Sequence, residues 1–309
     1  MKRAVFISIL CAMVLAAGTG CQNENTPEDN TPKMRQLTIR MNDDEAGAQG
    51  ILRAARATIV DGGSSSLSAS WTAGDQLSYC NLSRTDYKNS EFILYTGALT
   101  ASSTAATSEL TGDVTCTADD YLAVVYPTNS TFDYDSPSAS YTYTFPLSGQ
   151  DGTLERLAST YHQQYGRAHV TGVTNNTATA TMPKMKSLLT ICKFSFTDGT
   201  NAIPIGTLTI SYNNATSENG KYPQSATVTV QNTTEHANVH AVKADVTAAL
   251  TVTCSTEQPN VYVALLPTSD QVTYNFTVTN SSGTYTGTAK ATLKEGEYVP
   301  ALGLKLQLQ

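Results

Sequence analysis

Tryptophan occurs once in 309 residues, charged side chains supply only 15% of the chain, and no two cysteines form a CxxC pair. Each scarcity excludes something. Cysteine-built zinc sites want close ligand pairs, so no metal centre is expected. Lysine and arginine number 19 against 26 acidic residues, a net charge of −7 that leaves no basic surplus to neutralise phosphates. Nucleic acid is therefore not an expected partner. No GxSxG elbow, HExxH pair or Walker loop occurs, so no catalytic residue and no cofactor is singled out and the chain reads as a non-enzyme. Paired-carboxylate glycosidases leave no mark in one sequence, because their acids lie far apart along the chain; nothing here favours one. Beyond the N-terminus there is no apolar run of membrane length.

What is abundant is Thr, Ser, Ala, Tyr and Val, and three of these (Thr, Tyr and Val) suit a pleated, half-buried surface. Helix formers such as Glu, Lys and Leu are comparatively scarce. The class reads as all-β.

The first residues form a targeting segment. Lys2 and Arg3 make a basic start, and residues 4–17 an apolar core too short to span a membrane comfortably. Gly18, Thr19 and Gly20 precede Cys21, which resembles a bacterial lipobox and makes Cys21 the expected lipidation site, although Gly18 stands where such boxes usually carry an aliphatic residue. Residues 1–20 then read as signal peptide and 21–35 as a polar, proline-bearing tether. Of the other cysteines, Cys11 leaves with the signal peptide. Cys80, Cys116, Cys192 and Cys254 sit in or beside apolar strand patterns. An export route permits disulfides, and small buried thiols are equally open.

Alternation predicts strands throughout. Residues 36–41 place Leu37, Ile39 and Met41 on one face. An acidic, glycine-bearing loop follows, and then Arg53 and Arg56 among alanines, either an accessible site for an Arg-specific protease or the charged face of an edge strand. Strands are expected over 67–71, 76–80, 91–95, 105–110, 121–126, 141–145, 169–173 and 177–182, with a helical turn near 154–158. The run over 121–126, bounded by Pro127, reads as a buried central strand. Pro183 and Lys184 mark the expected junction between domains at 36–183 and 184–309. The second series is expected over 188–196, 207–212, 226–230, 250–254, 261–266, 273–279 and 284–293.

The chain closes on an octet in which Leu302, Leu304, Leu306 and Leu308 recur at period two. In a regular strand all four share one face. Burying them contributes on the order of 6–12 kcal/mol gross, at ~1.5–3 each. Other candidates are weaker. His236 and His240 are four apart but read as loop residues without a third ligand, Asp119-Asp120 reads as a turn, and Trp71 reads as core.

In order along the chain, Gly20-Cys21, the first strand with its Arg site, Trp71-x-x-Gly74-Asp75 followed by Leu77 and Tyr79, the strand ending in Tyr126-Pro127, residues 185–196, and Glu295-Gly296-Glu297-Tyr298-Val299 before the last strand resemble the fimbrillins. These are lipoprotein pilins of Bacteroidales-type (type V) fimbriae, and the resemblance covers nearly the whole chain. It implies two tandem transthyretin-like β-sandwiches. It also implies lipidation at Cys21, cleavage at Arg53 or Arg56 and removal of the strand bearing Leu37, Ile39 and Met41. Donation of Leu302, Leu304, Leu306 and Leu308 to a neighbouring subunit follows, the partners being other fimbrial subunits at the outer-membrane surface, with host or bacterial surface ligands for adhesion. The rival expectation is a surface glycan-binding lipoprotein that presents an accessible aromatic, testable through Trp71.

Overall fold

The computed structural model describes residues 31–41, 58–62, 67–105, 108–128, 131–213 and 217–309. Its first half contains β1 (Lys33–Met41), β2 (Thr58–Asp61), β3 (Leu67–Ser70), β4 (Gln76–Lys88), β5 (Glu91–Ala101) and β6 (Leu110–Cys116). Next come β7 (Tyr121–Tyr126), β8 (Asp133–Asp135) and β9 (Ser140–Pro146). One helical turn, α1 (Leu154–Arg156), precedes β10 (Gln164–Val173), β11 (Thr177–Met182) and β12 (Lys186–Ser187). The second half holds β13 (Thr190–Thr197), β14 (Ala202–Ile203), β15 (Ile205–Tyr212), β16 (Ser225–Gln231), β17 (Asn238–Ala241) and β18 (Leu250–Gln258). It ends with β19 (Val261–Leu265), β20 (Val272–Asn280), β21 (Gly283–Ala291), β22 (Tyr298–Lys305) and β23 (Gln307–Leu308). The molecule is all-β, as its composition predicts.

Alternation drives these strands. In β11 the threonines face out while Ala178, Ala180 and Met182 are buried, and β16 alternates in the same way with Ala226, Val228 and Val230 inward. One expected strand is displaced: of residues 105–110, Ser108 and Glu109 precede β6 and only Leu110 belongs to it, the strand running on to Cys116.

Seven strands, in the order β11-β1-β6-β5-β4-β7-β10, close into a barrel through the β10–β11 ladder. Around a closed ring, strand direction must return to its starting sense, so the antiparallel junctions must be even in number. Six of the seven junctions are antiparallel, and the seventh, β1 against β11, is parallel. Leu37, Ile39, Trp71, Leu77, Leu99 and Leu110 fill the interior.

The second half packs two sheets face to face. In one, β19 and β22 flank β13; the other runs β18-β15-β20-β21-β23. Phe194, Phe196, Leu208, Ile210, Val252 and Phe276 lie between them. A further sheet, β17-β16-β9-β8, joins the halves: β9, well before the expected junction at 183–184, pairs with β16 well after it. Strand β7 is shared as well. Leu122 and Val124 face the barrel interior while Ala123 and Val125 face the other core. Burial on both faces is why its sequence is continuously apolar rather than alternating.

Candidate functional site

The first strand, β1, and the last but one, β22, each join a neighbour in parallel. Among the described residues, the only parallel ladders between strands are β1 with β11 and β22 with β13. Parallel neighbours cannot come from a tight hairpin, so each of these strands reaches its place from a distance in sequence.

Strand β1 lies between β6 and β11, with Leu37 opposite Gly112 and Ala178, and Ile39 opposite Leu110 and Ala180. Leu37 and Ile39 are fully buried, and Met41 is half-buried against the same core. The strand begins at Lys33, inside the stretch expected to be tether. The reason is Arg35. It continues the inward face two residues ahead of Leu37, and its side chain is buried. Its Nε donates to the Thr174 carbonyl at 2.8 Å, and its Nη1 donates to the carbonyls of Thr31 (3.2 Å), Lys33 (3.3 Å) and Cys116. Backbone carbonyls at one end of the barrel therefore hold a guanidinium whose five donors suit such a cluster. Arg35 can be found in the sequence by extending the Leu37, Ile39, Met41 periodicity backwards across the apolar-to-charged change.

The closing octet departs from its expected geometry. Gly303 adopts φ +64°, and the ladder to β13 slips at this point, between Phe194 and Phe196. A left-handed residue costs glycine little, and the Gly303 N–H donates to Ser195 Oγ at 2.8 Å. The kink turns the strand, so the four leucines do not share one face. Leu302 is 46% exposed and Leu308 62%, Leu304 is half-buried, and only Leu306 is buried, at 2%. Burial of Leu306 alone contributes about 1.5–3 kcal/mol, well below the sum for four. At Leu306 the chain also changes sheets. Its N–H donates to the Thr197 carbonyl at 2.8 Å, after which β23 pairs with β21. The last strand thus forms the outer edge of both second-half sheets. Beneath it lies an apolar cavity of about 160 Å³ lined by Leu304, Val299, Ala301, Phe194, Phe276 and Ala289.

Cys21, Arg53 and Arg56 lie outside the described residues. Trp71 is fully buried and meets Tyr126 edge-on at 5.6 Å between ring centroids, so it presents no stacking face to a sugar. The exposed aromatics are elsewhere. Phe92 on the β4–β5 hairpin packs on Tyr134 of β8 at 4.8 Å, beside an open groove of about 680 Å³ that also meets Glu91, Asp133 and Thr131.

Cys80, Cys116 and Cys192 are buried free thiols, and Cys254 is half-buried and free. Burial pushes the Cys80 thiol up to about 12 and raises the other three as well, which keeps them protonated and unreactive. His240 belongs to strand β17, where a loop was expected, while His236 lies in the loop before it, as expected. No group of three or more potential metal ligands occurs among the described residues. Asp119 and Asp120 form a turn, Asp119 with φ +64°. Asp120 is buried, accepting from Arg84 Nε at 2.6 Å, Asn81 Nδ2 at 2.9 Å and the Thr117 N–H at 2.9 Å. With every acceptor engaged in tying β4 to the β6–β7 turn, it is structural rather than catalytic. Among the described residues no helix is long and apolar enough to cross a membrane.

No family model and no curated protein matches the chain. Among solved structures it is similar to the shaft pilin SpaA from Lactobacillus rhamnosus GG, at 12% identity and a TM-score of 0.31, covering 90% of this chain and 98% of that one. It is also similar to a candidate cell adhesion protein from Bacteroides eggerthii DSM 20697, at 10% identity and a TM-score of 0.35, covering 87% of this chain and 86% of that one. Likenesses this distant carry no argument about topology or function.

Proposed function

We propose that the chain is a non-enzymatic structural subunit of cell-surface fimbriae, exported as a lipoprotein and assembled by strand exchange in support of adhesion. The observation that carries it is that β1 and β22, near the two ends of the described chain, each join a strand distant in sequence by a parallel ladder. In this reading Cys21 carries the lipid that holds the precursor at the outer membrane, and cleavage at Arg53 or Arg56 frees β1. A strand from another fimbrial subunit then fills the slot between β6 and β11. Leu302, Leu304, Leu306 and Leu308 are donated in turn, and straightening at Gly303 would bring them onto one face. Ladder hydrogen bonds supply affinity and alternate side chains supply register. The exposure of Leu302 and Leu308 among the described residues supports donation, since pairing with another chain would bury both. The tandem transthyretin-like organisation belongs to the same proposal.

The test is limited digestion with an Arg-specific protease, followed by sedimentation and electron microscopy. Polymers are expected after cleavage and none before. Absence of polymers, together with unfolding of the monomer when residues 302–309 are deleted, would sink the donor role. A second reading, a surface glycan-binding lipoprotein, rests on the groove beside Phe92 and Tyr134. It predicts that polysaccharide binding is lost in Phe92→Ala and that the protein stays monomeric.

A further inference from the structure

The slot held by β1 selects its occupant by side chains rather than by strand direction. Because β1 is antiparallel to β6 and parallel to β11, those two neighbours run antiparallel to each other. Any strand placed between them makes one ladder of each kind, whichever way it runs. What remains to discriminate is the inward face, and in β1 that face reads Arg35, Leu37, Ile39, Met41.

Three of these positions ask for apolar side chains; the first does not. The Arg35 guanidinium donates to the carbonyls of Cys116 and Thr174, which belong to the barrel and stay behind when β1 leaves. The Cys116 carbonyl is buried, and leaving it without this donor is costly, so this end of the slot asks for a cation or a long donor.

The chain's own closing octet cannot meet that demand. Running with β1, Leu304, Leu306 and Leu308 over Leu37, Ile39 and Met41 puts Leu302 in the place of Arg35, and a shift by two puts Pro300 there. Running against β1, Leu306, Leu304 and Leu302 over the same three positions puts Leu308 there, and a shift that brings Leu304 over Leu37 puts Leu306 there. Lys305 is out of phase in every case.

We infer that the barrel slot is specific for a strand of pattern Arg/Lys-x-apolar-x-apolar, so that its occupant is not the closing octet of a second copy. This rests on the exchange reading above: the strand that fills this slot is then one of that pattern, and not residues 302–309 of a like subunit.

The experiment uses the full mature chain carrying a site-specific protease sequence within residues 42–57, nicked so that β1 is held only by its ladders. Labelled nine-residue peptides compete for the slot and are followed by fluorescence anisotropy. They are residues 33–41, the same peptide with Arg35→Lys or Arg35→Leu, and residues 301–309. Substitutions sit in the peptide, so the acceptor is the same folded protein throughout. The native peptide is expected to enter, Arg35→Lys to bind within a few-fold of it, Arg35→Leu to bind at least about tenfold more weakly, and residues 301–309 not to compete. Equal binding by the Arg35→Leu peptide, or entry by residues 301–309, overturns the specificity while leaving strand exchange standing. Failure of even the native peptide to enter overturns exchange itself, and the inference with it.

Discussion

At the scale of single residues, burial rather than composition sets the consequences of substitution. Leu306 is enclosed while Leu302 and Leu308 face solvent. Leu306→Ala is expected to cost about 2–4 kcal/mol in urea unfolding of the monomer, and Leu302→Ala or Leu308→Ala less than about 0.5 kcal/mol. If exposure reflects donation, the same two outer leucines matter in polymerisation, where monomer stability gives no warning of it. Asp120 makes a contrasting case. Its carboxylate accepts from Arg84, Asn81 and the Thr117 backbone in a buried setting. Asp120→Ala is expected to lose about 3 kcal/mol, because Asn81 and Arg84 are left with unanswered donors; Asp120→Asn restoring full stability would contradict a role for the charge. Arg35 and Trp71 mark the two ends of what a sequence reveals at this scale. A lone tryptophan among strands announces burial. An arginine at the end of a polar tether announces solvent, and only the two-residue period running back from Leu37 shows that it faces inward.

At the scale of elements, the strands were legible wherever one face is wet. Thr177–Met182 and Ser225–Gln231 alternate because threonine faces out and Ala, Val or Met faces in. The closing octet alternates as cleanly and yet misleads, because one glycine changes the backbone hand and hence the face. Gly303→Ala is expected to cost about 1 kcal/mol, since φ +64° strains any residue with a Cβ. Amide exchange in β22 and β23 should accelerate in that variant while exchange in β19 is unchanged. Equal acceleration in β19 would mean that the last strand and its neighbours open as one unit. Which strands become neighbours was not legible. The partners of Leu37 are Gly112 and Ala178, and the partner of Lys193 is Pro300. Separations of that size leave no local trace in a sequence.

At the scale of the whole molecule, two cores share the wall made by β7, and the halves are stitched by β9 on β16. Unfolding is expected to be a single transition for both halves, and two resolved transitions in calorimetry would separate them. Alkali probes the same unity. Burial raises Tyr79 in the barrel and Tyr212 and Tyr298 in the second half to about 12. A phenol whose folded pKa lies above its unfolded value of about 10 stabilises the fold below pH 10. That contribution is lost as pH rises from about 10 through about 12, when the unfolded chain releases protons the folded one still holds. Tyrosinate absorbance and Trp71 fluorescence should therefore change together within that window. The barrel's strand count has one more consequence. Seven strands need a parallel seam, but the six left without β1 alternate perfectly in direction, with β6 and β11 already opposed. A ring of six can seal itself by joining those two edges, so an emptied slot has a lifetime, and an incoming strand must arrive before the barrel heals.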